Sequence, residues 1–324
     1  MTLLTVNNLI TEFGSGRARP GVKAVNDVSF SVERGRVLGL VGESGSGKSV
    51  TGFSIMRLLD PPGRISSGQI IFDGVDIAKS SPEDMRRLRG KRIAMVFQDP
   101  MMTLNPVLTI ATQMVEAVQA HDAVSRETAR QRARDALGLV GIPSPEERLS
   151  AYPHQFSGGM RQRVAIAIAL LHKPDLIIAD EPTTALDVTI QSQIISEFQK
   201  LAEESNTAVI WITHDLAIVS RLADDVAVMY AGRLVEVGPA AEVLLDPRHP
   251  YTAGLIASVP SQNRRGERLH QISGMTPAIG RLPQGCSFRT RCDRTTDLCA
   301  AMPALLAEGD RSFRCVHPVA KELA

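Results

Sequence analysis

Residues 42–49 read Gly42-Glu43-Ser44-Gly45-Ser46-Gly47-Lys48-Ser49. This octapeptide fits the pattern G-x-x-x-x-G-K-[ST], in which glycines let the main chain wrap closely around phosphate groups. The apolar run VLGLV precedes it and the helical pattern SVTGFSIMRLL follows it. A strand, loop and helix in this order point backbone N–H groups and a helix N-terminus at an anion. An ordinary glycine-rich turn needs neither the Lys-Ser pair nor these flanks, so the stretch predicts a polyphosphate-binding loop.

The same loop predicts individual contacts. Lys48 can reach the β- and γ-phosphates, and the Ser49 hydroxyl can bind Mg²⁺. The expected nucleotide-binding residues of the loop are Gly42, Ser44, Gly45, Ser46, Gly47, Lys48, Ser49 and Val50.

Apolar runs elsewhere predict the core around the loop. RVLGLVG, RIAMVF, DLIIAD and AVIWITH are nearly all apolar, as buried parallel strands are, and helix-length segments separate them. Residues 2–41 alternate in polarity and predict short strands in antiparallel hairpins, and VAVMYAGRLVEVG predicts a hairpin closed at Ala231-Gly232. Residues 104–163 have a helical pattern and predict an inserted helical subdomain. The expected class is α/β, with a mostly parallel sheet and an antiparallel β subdomain.

A carboxylate pair follows the run DLIIAD. Asp180 at the end of this predicted strand can hold Mg²⁺ through water, opposite Ser49. Glu181 would then lie beside the γ-phosphate, where a carboxylate can take a proton from the attacking water. A helix-capping or solvated acid is the alternative role for Glu181.

Composition excludes several classes of protein. The chain has 324 residues, with 36 Lys and Arg against 35 Asp and Glu and a net charge of +1. This balance gives no overall footprint for nucleic acid, so no nucleic-acid partner is expected. The longest apolar run, residues 164–171, is far below the roughly 18 residues that cross a bilayer. The N-terminus lacks the pattern of a secretory signal, so the cytosol is the expected compartment.

A further segment carries a resemblance to a known family. Residues 152–163, YPHQFSGGMRQR, resemble the signature motif of ATP-binding cassette (ABC) ATPases. The resemblance covers about residues 1–260 and implies ATP as the nucleotide, with two chains in a head-to-tail dimer. Ser157, Gly158 and Gly159 would then complete the partner's nucleotide site, although a serine and two glycines before a helix are by themselves a plain cap.

The resemblance assigns three more residues and suggests a fourth. Gln98 matches the Q-loop glutamine, a sensor of Mg²⁺ and water, and Asp187 matches the D-loop. His214 matches the histidine that senses the γ-phosphate, although a lone histidine after an apolar strand is usually structural. The implied catalytic residues are Glu181, His214 and Gln98, and the implied Mg²⁺ ligands are Ser49, Gln98 and Asp180. Phe13 is the nearest candidate to stack on adenine, and it could equally belong to the core.

Two segments depart from the pattern common to ABC ATPases and indicate a subfamily. FSGGMRQR and QDPMMTLNP resemble the ATPases of oligopeptide, dipeptide and nickel importers, as does HPYT followed by AGLIASVP. This resemblance implies an ATP-hydrolysing subunit on the cytoplasmic face of the inner membrane, held there peripherally. Its partners would be two transmembrane permeases, a second related ATPase and an extracytoplasmic substrate-binding protein. A nickel-chelate cargo, or a soluble cassette ATPase acting on nucleic acid, is the alternative.

Four cysteines are confined to the end of the chain, at Cys286, Cys292, Cys299 and Cys315. A reducing cytosol argues against disulfides, and four thiolates suit either Zn²⁺ or a [4Fe–4S] cluster. The resemblance to peptide-importer ATPases favours the cluster, and the alternative is four buried apolar cysteines. We expect a nucleotide-binding domain over residues 1–250 and a cysteine-bearing extension over 251–324. Replacing any one of the four cysteines by Ser is expected to destabilise the tail and impair assembly, while nucleotide binding at Lys48 stays nearly unchanged.

Overall fold

The structure is a computed structural model that describes residues 1–14, 21–184, 186–259 and 270–320. The chain divides into two compact units, each built from separate stretches. The first unit comprises Met1, Glu33–Arg36 and Ser80–Ile210, and the second comprises Thr2–Val32, Val37–Lys79 and Trp211–Ala324.

The strands of the described residues are, in chain order, β1 Thr2–Phe13, β2 Val22–Glu33, β3 Val37–Val41, β4 Gly63–Phe72, β5 Val75–Asp76, β6 Ile93–Val96, β7 Leu176–Asp180, β8 Ala208–Thr213, β9 Asp225–Tyr230, β10 Arg233–Pro239, β11 Leu306–Glu308 and β12 Arg311–Phe313. The α-helices are α1 Lys48–Met56, α2 Pro82–Leu88, α3 Ile110–Gln119, α4 Arg126–Leu139, α5 Pro145–Leu149, α6 Gly158–Leu170, α7 Val188–Ser205, α8 Leu216–Leu222, α9 Ala240–Leu245 and α10 Pro250–Ala257.

The first unit combines a short parallel sheet with the helices α2 to α7. Strand β6 runs parallel to β7, with Ile93 opposite Leu176, and the start of β8 adjoins β7. Helices α3 and α4 bury a small apolar cluster that includes Val115, Val118 and Ala129. Helices α3, α4 and α5 lie within the segment 104–163 for which the sequence predicts a helical insert, whereas α6 begins inside that segment and ends beyond it; the bounds of the insert stay a prediction.

The second unit contains two sheets. In the first, the order is β2-β1-β4-β5, and β4 is antiparallel to both β1 and β5. In the second, β3 runs parallel to β9, and β9 is antiparallel to β10 across the predicted hairpin at Ala231-Gly232. Strand β12, from the end of the chain, adds to β10, and β11 adds to β12.

The C-terminal segment therefore belongs to the core of the second unit. Phe288 is buried in the same apolar cluster as Tyr230 and Tyr251, with ring centroids 5.3 Å and 5.4 Å from theirs. The predicted α/β class is confirmed, but a separate cysteine-rich subdomain is not. In the described part of the chain, no helix combines the length and the apolarity needed to cross a membrane.

Candidate nucleotide-binding site

The phosphate loop joins the end of β3 at Val41 to the start of α1 at Lys48. Two of its glycines are required by the geometry. Gly42 and Gly47 have φ angles of 151° and 105°, and an added Cβ would lie 2.2 Å from the Met229 carbonyl oxygen and 2.5 Å from that of Ala24, respectively. A side chain at either position would force the loop away from the sheet, so the glycines of the motif serve close backbone approach as well as conformation.

Lys48 points back into the loop that precedes it. Its side chain is buried, and Nζ donates to the carbonyl oxygens of Gly42 at 2.7 Å and Glu43 at 3.0 Å. The ammonium is thus held inside the curl of the loop, at the N-terminus of α1, where positive charge and free N–H groups favour an anion. Ser49 and Val50 occupy the first turn of this helix.

His214 follows β8 and lies near the same loop. Together with Gly42 and Glu43 it lines a cavity of about 360 Å³, and Gln271, Ile272 and Gly274 form another part of the wall. The structure thus brings the predicted γ-phosphate sensor to the phosphate loop within the second unit, and it adds a C-terminal segment that the sequence analysis did not connect with this site.

The acidic group lies in the first unit. Asp180 is buried at the end of β7, and Glu181 follows with φ of 45°, a left-handed conformation that is uncommon outside glycine and concentrates at functional sites. Glu181 accepts hydrogen bonds on Oε2 from the Gln98 amide and from the Thr184 hydroxyl, both at 3.2 Å. The structure therefore places Gln98 and Glu181 together, as expected of residues that act on one water molecule.

Two helix N-termini in the first unit carry the remaining predicted residues. Ser157 caps α6 by accepting from the Met160 amide at 3.2 Å, and the first turn contains no acidic residue. Ser157 and Gly158 are exposed, so this positive helix end is open to an anion. Asp187 is exposed and caps α7 by accepting from the Ile190 amide at 3.0 Å. Ser157 and Asp187 therefore both act as helix caps. A role of either residue in a partner's nucleotide site stays a prediction.

Phe13 ends β1, where its register partner is Gly63 of β4. A Cβ added to Gly63 would lie 2.6 Å from the Phe13 ring, so the ring covers the glycine and is half-buried. This packing gives Phe13 a structural role, and stacking on adenine stays a prediction.

The phosphate loop also contacts the C-terminal segment, which the sequence analysis missed. The carboxylate of Glu43 accepts from Arg291 Nη1 at 2.7 Å and Nη2 at 3.0 Å, and from the Thr276 hydroxyl. Burial acts to raise the pKa of Glu43, but the hydrogen bonds from Arg291 and Thr276 outweigh it, so the pKa lies below its usual value. The C-terminal segment therefore contacts the phosphate loop directly through Arg291 and Thr276.

The four cysteines are free thiols, and Cys299 is buried. Burial raises the pKa of Cys286 and Cys292, and it raises that of Cys315 to about 11, with the neighbouring thiols adding to the effect. In the described parts of the chain, no group of three or more His, Cys, Asp or Glu residues is arranged to hold a metal ion. Neither the predicted [4Fe–4S] cluster nor zinc is supported by this geometry.

Comparisons with known proteins agree with the motifs. A family model described as "ABC transporter" matches residues 25–184, and one described as "Oligopeptide/dipeptide transporter, C-terminal region" matches residues 235–299. The dipeptide transport ATP-binding protein DppD of Escherichia coli is 48% identical over 322 residues, 98% of either chain. The oligopeptide transport ATP-binding protein OppD of Bacillus subtilis is 49% identical over 89% of this chain and 81% of its own.

A solved structure gives the same result for the fold. The ATP-binding cassette MJ0796, in a dimeric post-hydrolysis state bound to ADP and Pi, matches with a TM-score of 0.67 and 27% identity, over 74% of this chain and 99% of that chain. Phosphate loop, acidic strand end and signature helix on this fold define an ATPase of the ATP-binding cassette class. The chain belongs to the ABC transporter family, among the members that carry the oligopeptide/dipeptide C-terminal region.

Proposed function

We propose that this chain is the ATP-hydrolysing subunit of an importer of dipeptides or oligopeptides. The observation that carries the proposal is the nearly end-to-end similarity to peptide-import ATPases, which includes the C-terminal region specific to them. A nickel-chelate cargo and a soluble ATPase acting on nucleic acid are not favoured by these relatives.

The site residues divide the chemistry among them. Lys48 and the loop amides would bind the phosphates, and Ser49, Asp180 and Gln98 would provide the oxygen ligands that Mg²⁺ prefers. Mg²⁺ supplies neutralisation of the phosphate charge when it is bound. Glu181 would accept the proton of the attacking water. The hydrogen bond from the Gln98 amide helps to orient the Glu181 carboxylate for this step. His214, beside the loop in the cavity, would contact the γ-phosphate.

The signature helix would act on a second chain. The exposed N-terminus of α6 offers Ser157, Gly158 and Gly159 to a phosphate of the partner's nucleotide. We propose that the partner is a related but different ATPase and that Asp187 lies at the junction between the two. Support for the binding of a partner's phosphate comes from the exposed N-terminus of α6, whose first turn contains no acidic residue.

The segment that follows Gln98 has an exposed apolar surface that could bind the permeases. Met101, Met102 and Val107 are 38%, 64% and 75% exposed, an unusual concentration of apolar surface for one short segment. We propose that this segment docks on two transmembrane permeases, which would hold the chain peripherally at the cytoplasmic face of the inner membrane. An extracytoplasmic binding protein would deliver the peptide to them.

We retain two further predictions as proposals. The first is that the chain divides by function near residue 250, into a nucleotide-binding domain over 1–250 and an importer-type extension over 251–324. The second is a [4Fe–4S] cluster on the four cysteines, with zinc as the alternative. Its support is that Cys286, Cys292 and Cys315 each accept a backbone N–H from the residue two positions on, an interaction that opposes the rise in the thiol pKa caused by burial. Anaerobically purified protein with iron and acid-labile sulfide would establish the cluster; colourless, metal-free protein would exclude it.

The transport proposal is tested in proteoliposomes that contain this chain, the proposed permeases and the proposed partner ATPase, together with a peptide-binding protein. Di- and tripeptides should stimulate ATP hydrolysis and accumulate inside, and a complex with the Lys48→Ala chain should show neither effect. Stimulation by nickel chelates, with peptides inert, would reject peptide as the cargo while leaving the ATPase assignment intact.

A further inference from the structure

Arg291 and Glu43 form a buried link between the C-terminal segment and the phosphate loop. The guanidinium binds both oxygens of the carboxylate, the bidentate geometry that gives charge-assisted hydrogen bonds their strength and direction. The Arg291 side chain is 4% exposed and that of Glu43 is 30% exposed. Water therefore has little access to the arginine side of this pair.

Arg291 is itself fixed by the core of the second unit. Its Nε donates to the Ser273 carbonyl oxygen at 2.9 Å, and Nη1 also reaches the Thr276 hydroxyl at 3.1 Å. The guanidinium carbon lies 5.9 Å from the ring centroids of both Tyr230 and Phe288. These partners leave the arginine one position, so it presents a rigid pair of donors to the loop.

Glu43 transmits this constraint to Lys48. The Glu43 backbone N–H donates to the Tyr251 hydroxyl at 2.9 Å, and its carbonyl oxygen accepts from Lys48 Nζ at 3.0 Å. The Ser46 amide donates to the same carbonyl at 3.2 Å. Side chain and backbone of this one residue are thus tied on one side to the C-terminal core and on the other to the phosphate-binding lysine.

We infer that Arg291 is a positioning residue for ATP binding, which holds the phosphate loop in its binding-competent shape through Glu43. The inference rests on the nucleotide site proposed above. It makes the C-terminal segment a working part of the ATP site of this chain.

The expected effect of losing Arg291 on ATP affinity follows from the fraction of molecules whose phosphate loop has the shape that binds ATP. An apparent dissociation constant equals the intrinsic one divided by the fraction of molecules that are competent to bind. If Arg291→Gln lets the loop leave that shape most of the time, the Kd and the KM for MgATP should rise about 10-fold. At saturating ATP, bound nucleotide shifts nearly all molecules back to the binding-competent loop conformation, so kcat should stay within about twofold of wild type.

The experiment measures MgATP affinity of the full-length chain by calorimetry, and KM and kcat in the assembled transporter. The variants are Arg291→Gln, Arg291→Lys, Glu43→Gln and the double variant of Arg291→Gln with Glu43→Gln. Lysine keeps the charge but offers a point donor instead of a planar fork, so Arg291→Lys should lie between wild type and Arg291→Gln. It also decides the question should Arg291→Gln fail to fold. Arg294→Gln is the matched control, because Arg294 is exposed on the same segment and should behave as wild type.

Two results would support the inference: a raised KM with kcat retained, and a double variant no worse than Glu43→Gln alone. An unchanged KM in both Arg291 variants would overturn it, as would a fall in kcat at constant KM or effects of Arg291→Gln and Glu43→Gln that multiply. Lys48→Ala separates this failure from that of the nucleotide site. If Lys48→Ala binds ATP as wild type does, the proposed site is wrong; if it loses ATP and Arg291→Gln does not, only the role of Arg291 is wrong.

Discussion

Glu181 has a strained backbone and a side chain held by two donors, Gln98 and Thr184. A residue that only capped a helix would need neither feature, which favours the role of general base. Glu181→Gln keeps the size and the hydrogen-bonding capacity of the side chain but removes its basicity. Hydrolysis at this chain's site should fall by at least about 100-fold, the scale of a lost general base, while ATP still binds.

Single-turnover hydrolysis in the assembled transporter measures this effect, with ATP affinity measured in parallel. Glu203→Gln, on the exposed face near the end of α7, is the control and should hydrolyse ATP as wild type does. Normal turnover in Glu181→Gln would remove Glu181 from the mechanism.

Lys48 is the cation of the phosphate loop, and its hydrogen bonds to the carbonyl oxygens of Gly42 and Glu43 hold it there. Lys48→Ala should weaken ATP binding by about 10-fold or more, since a hydrogen bond to a charged group contributes about 1.5 to 3 kcal/mol. Calorimetry on the full-length chain measures the affinity. The surface residue Lys200, paired with Glu197, provides the control Lys200→Ala, and equal affinities in the two variants would contradict the loop assignment.

Sequence patterns could predict where the loop and the acidic pair lie, because each is a local motif at the end of a strand, whereas His214 was assigned only through the family resemblance. The roles of these residues in ATP hydrolysis stay predictions. Sequence patterns could not predict Arg291, since it lies 248 positions from Glu43 and carries no motif of its own. Its role depends on tertiary packing, and an arginine in a basic, proline-containing tail gives no signal that it is buried.

Helix α10 depends on a buried histidine at its N-terminus. His249 Nδ1 accepts from the Tyr251 amide at 3.0 Å, and its own backbone N–H donates to Glu236. Burial lowers the pKa of His249 to about 3. Only the neutral ring caps the helix, whereas the unfolded chain takes up a proton near pH 6.5.

The free energy of unfolding should therefore fall as pH falls below about 6.5, because the unfolded state then binds a proton that the folded state excludes. Between pH 7 and pH 5 this group should cost about 2 kcal/mol, at 1.36 kcal/mol per pKa unit. In His249→Asn, whose amide oxygen can cap the helix without titrating, that part of the pH dependence should vanish.

Urea unfolding at both pH values tests this prediction through the fluorescence of Trp211, the one tryptophan of the sequence, which is buried in the same unit. His154→Asn, at an exposed position, should keep the wild-type pH dependence. An equally steep loss of stability in His249→Asn would assign it to other groups, such as the buried carboxyl of Glu236.

Element prediction succeeded where one pattern dominates. The apolar runs of β3, β6, β7 and β8 and the hairpin of β9 with β10 are in the structure as expected. The pair β4 and β5 was missed, since RISSGQIIF mixes polar residues with a glycine, and its stability comes from pairing with β1. Strands β1 and β2 are also longer than predicted, at 12 residues each.

At the scale of the whole molecule, the proposed role of the α6 N-terminus in a partner's nucleotide site predicts that one chain has only part of a working site. The isolated protein should be largely monomeric without ATP and should associate only when a nucleotide bridges two cassettes. Light scattering at micromolar concentration, with and without MgATP, measures this, and Glu181→Gln should give the longer-lived complex because it binds ATP without hydrolysing it. A stable nucleotide-free homodimer would contradict the proposed pairing with a different ATPase.

The addition of β12 to β10 also affects how the protein survives in solution. Strand β10 is seven residues long, and without β12 the backbone N–H and C=O groups that face β12 would be free to pair with another molecule. With the tail in place, the outermost strand is β11, which is three residues long and exposed. A chain truncated after Val259 would expose β10 and remove Phe288 from the core. It should aggregate during expression even though every nucleotide-binding motif is retained, which size-exclusion chromatography of the truncated and full-length chains would measure.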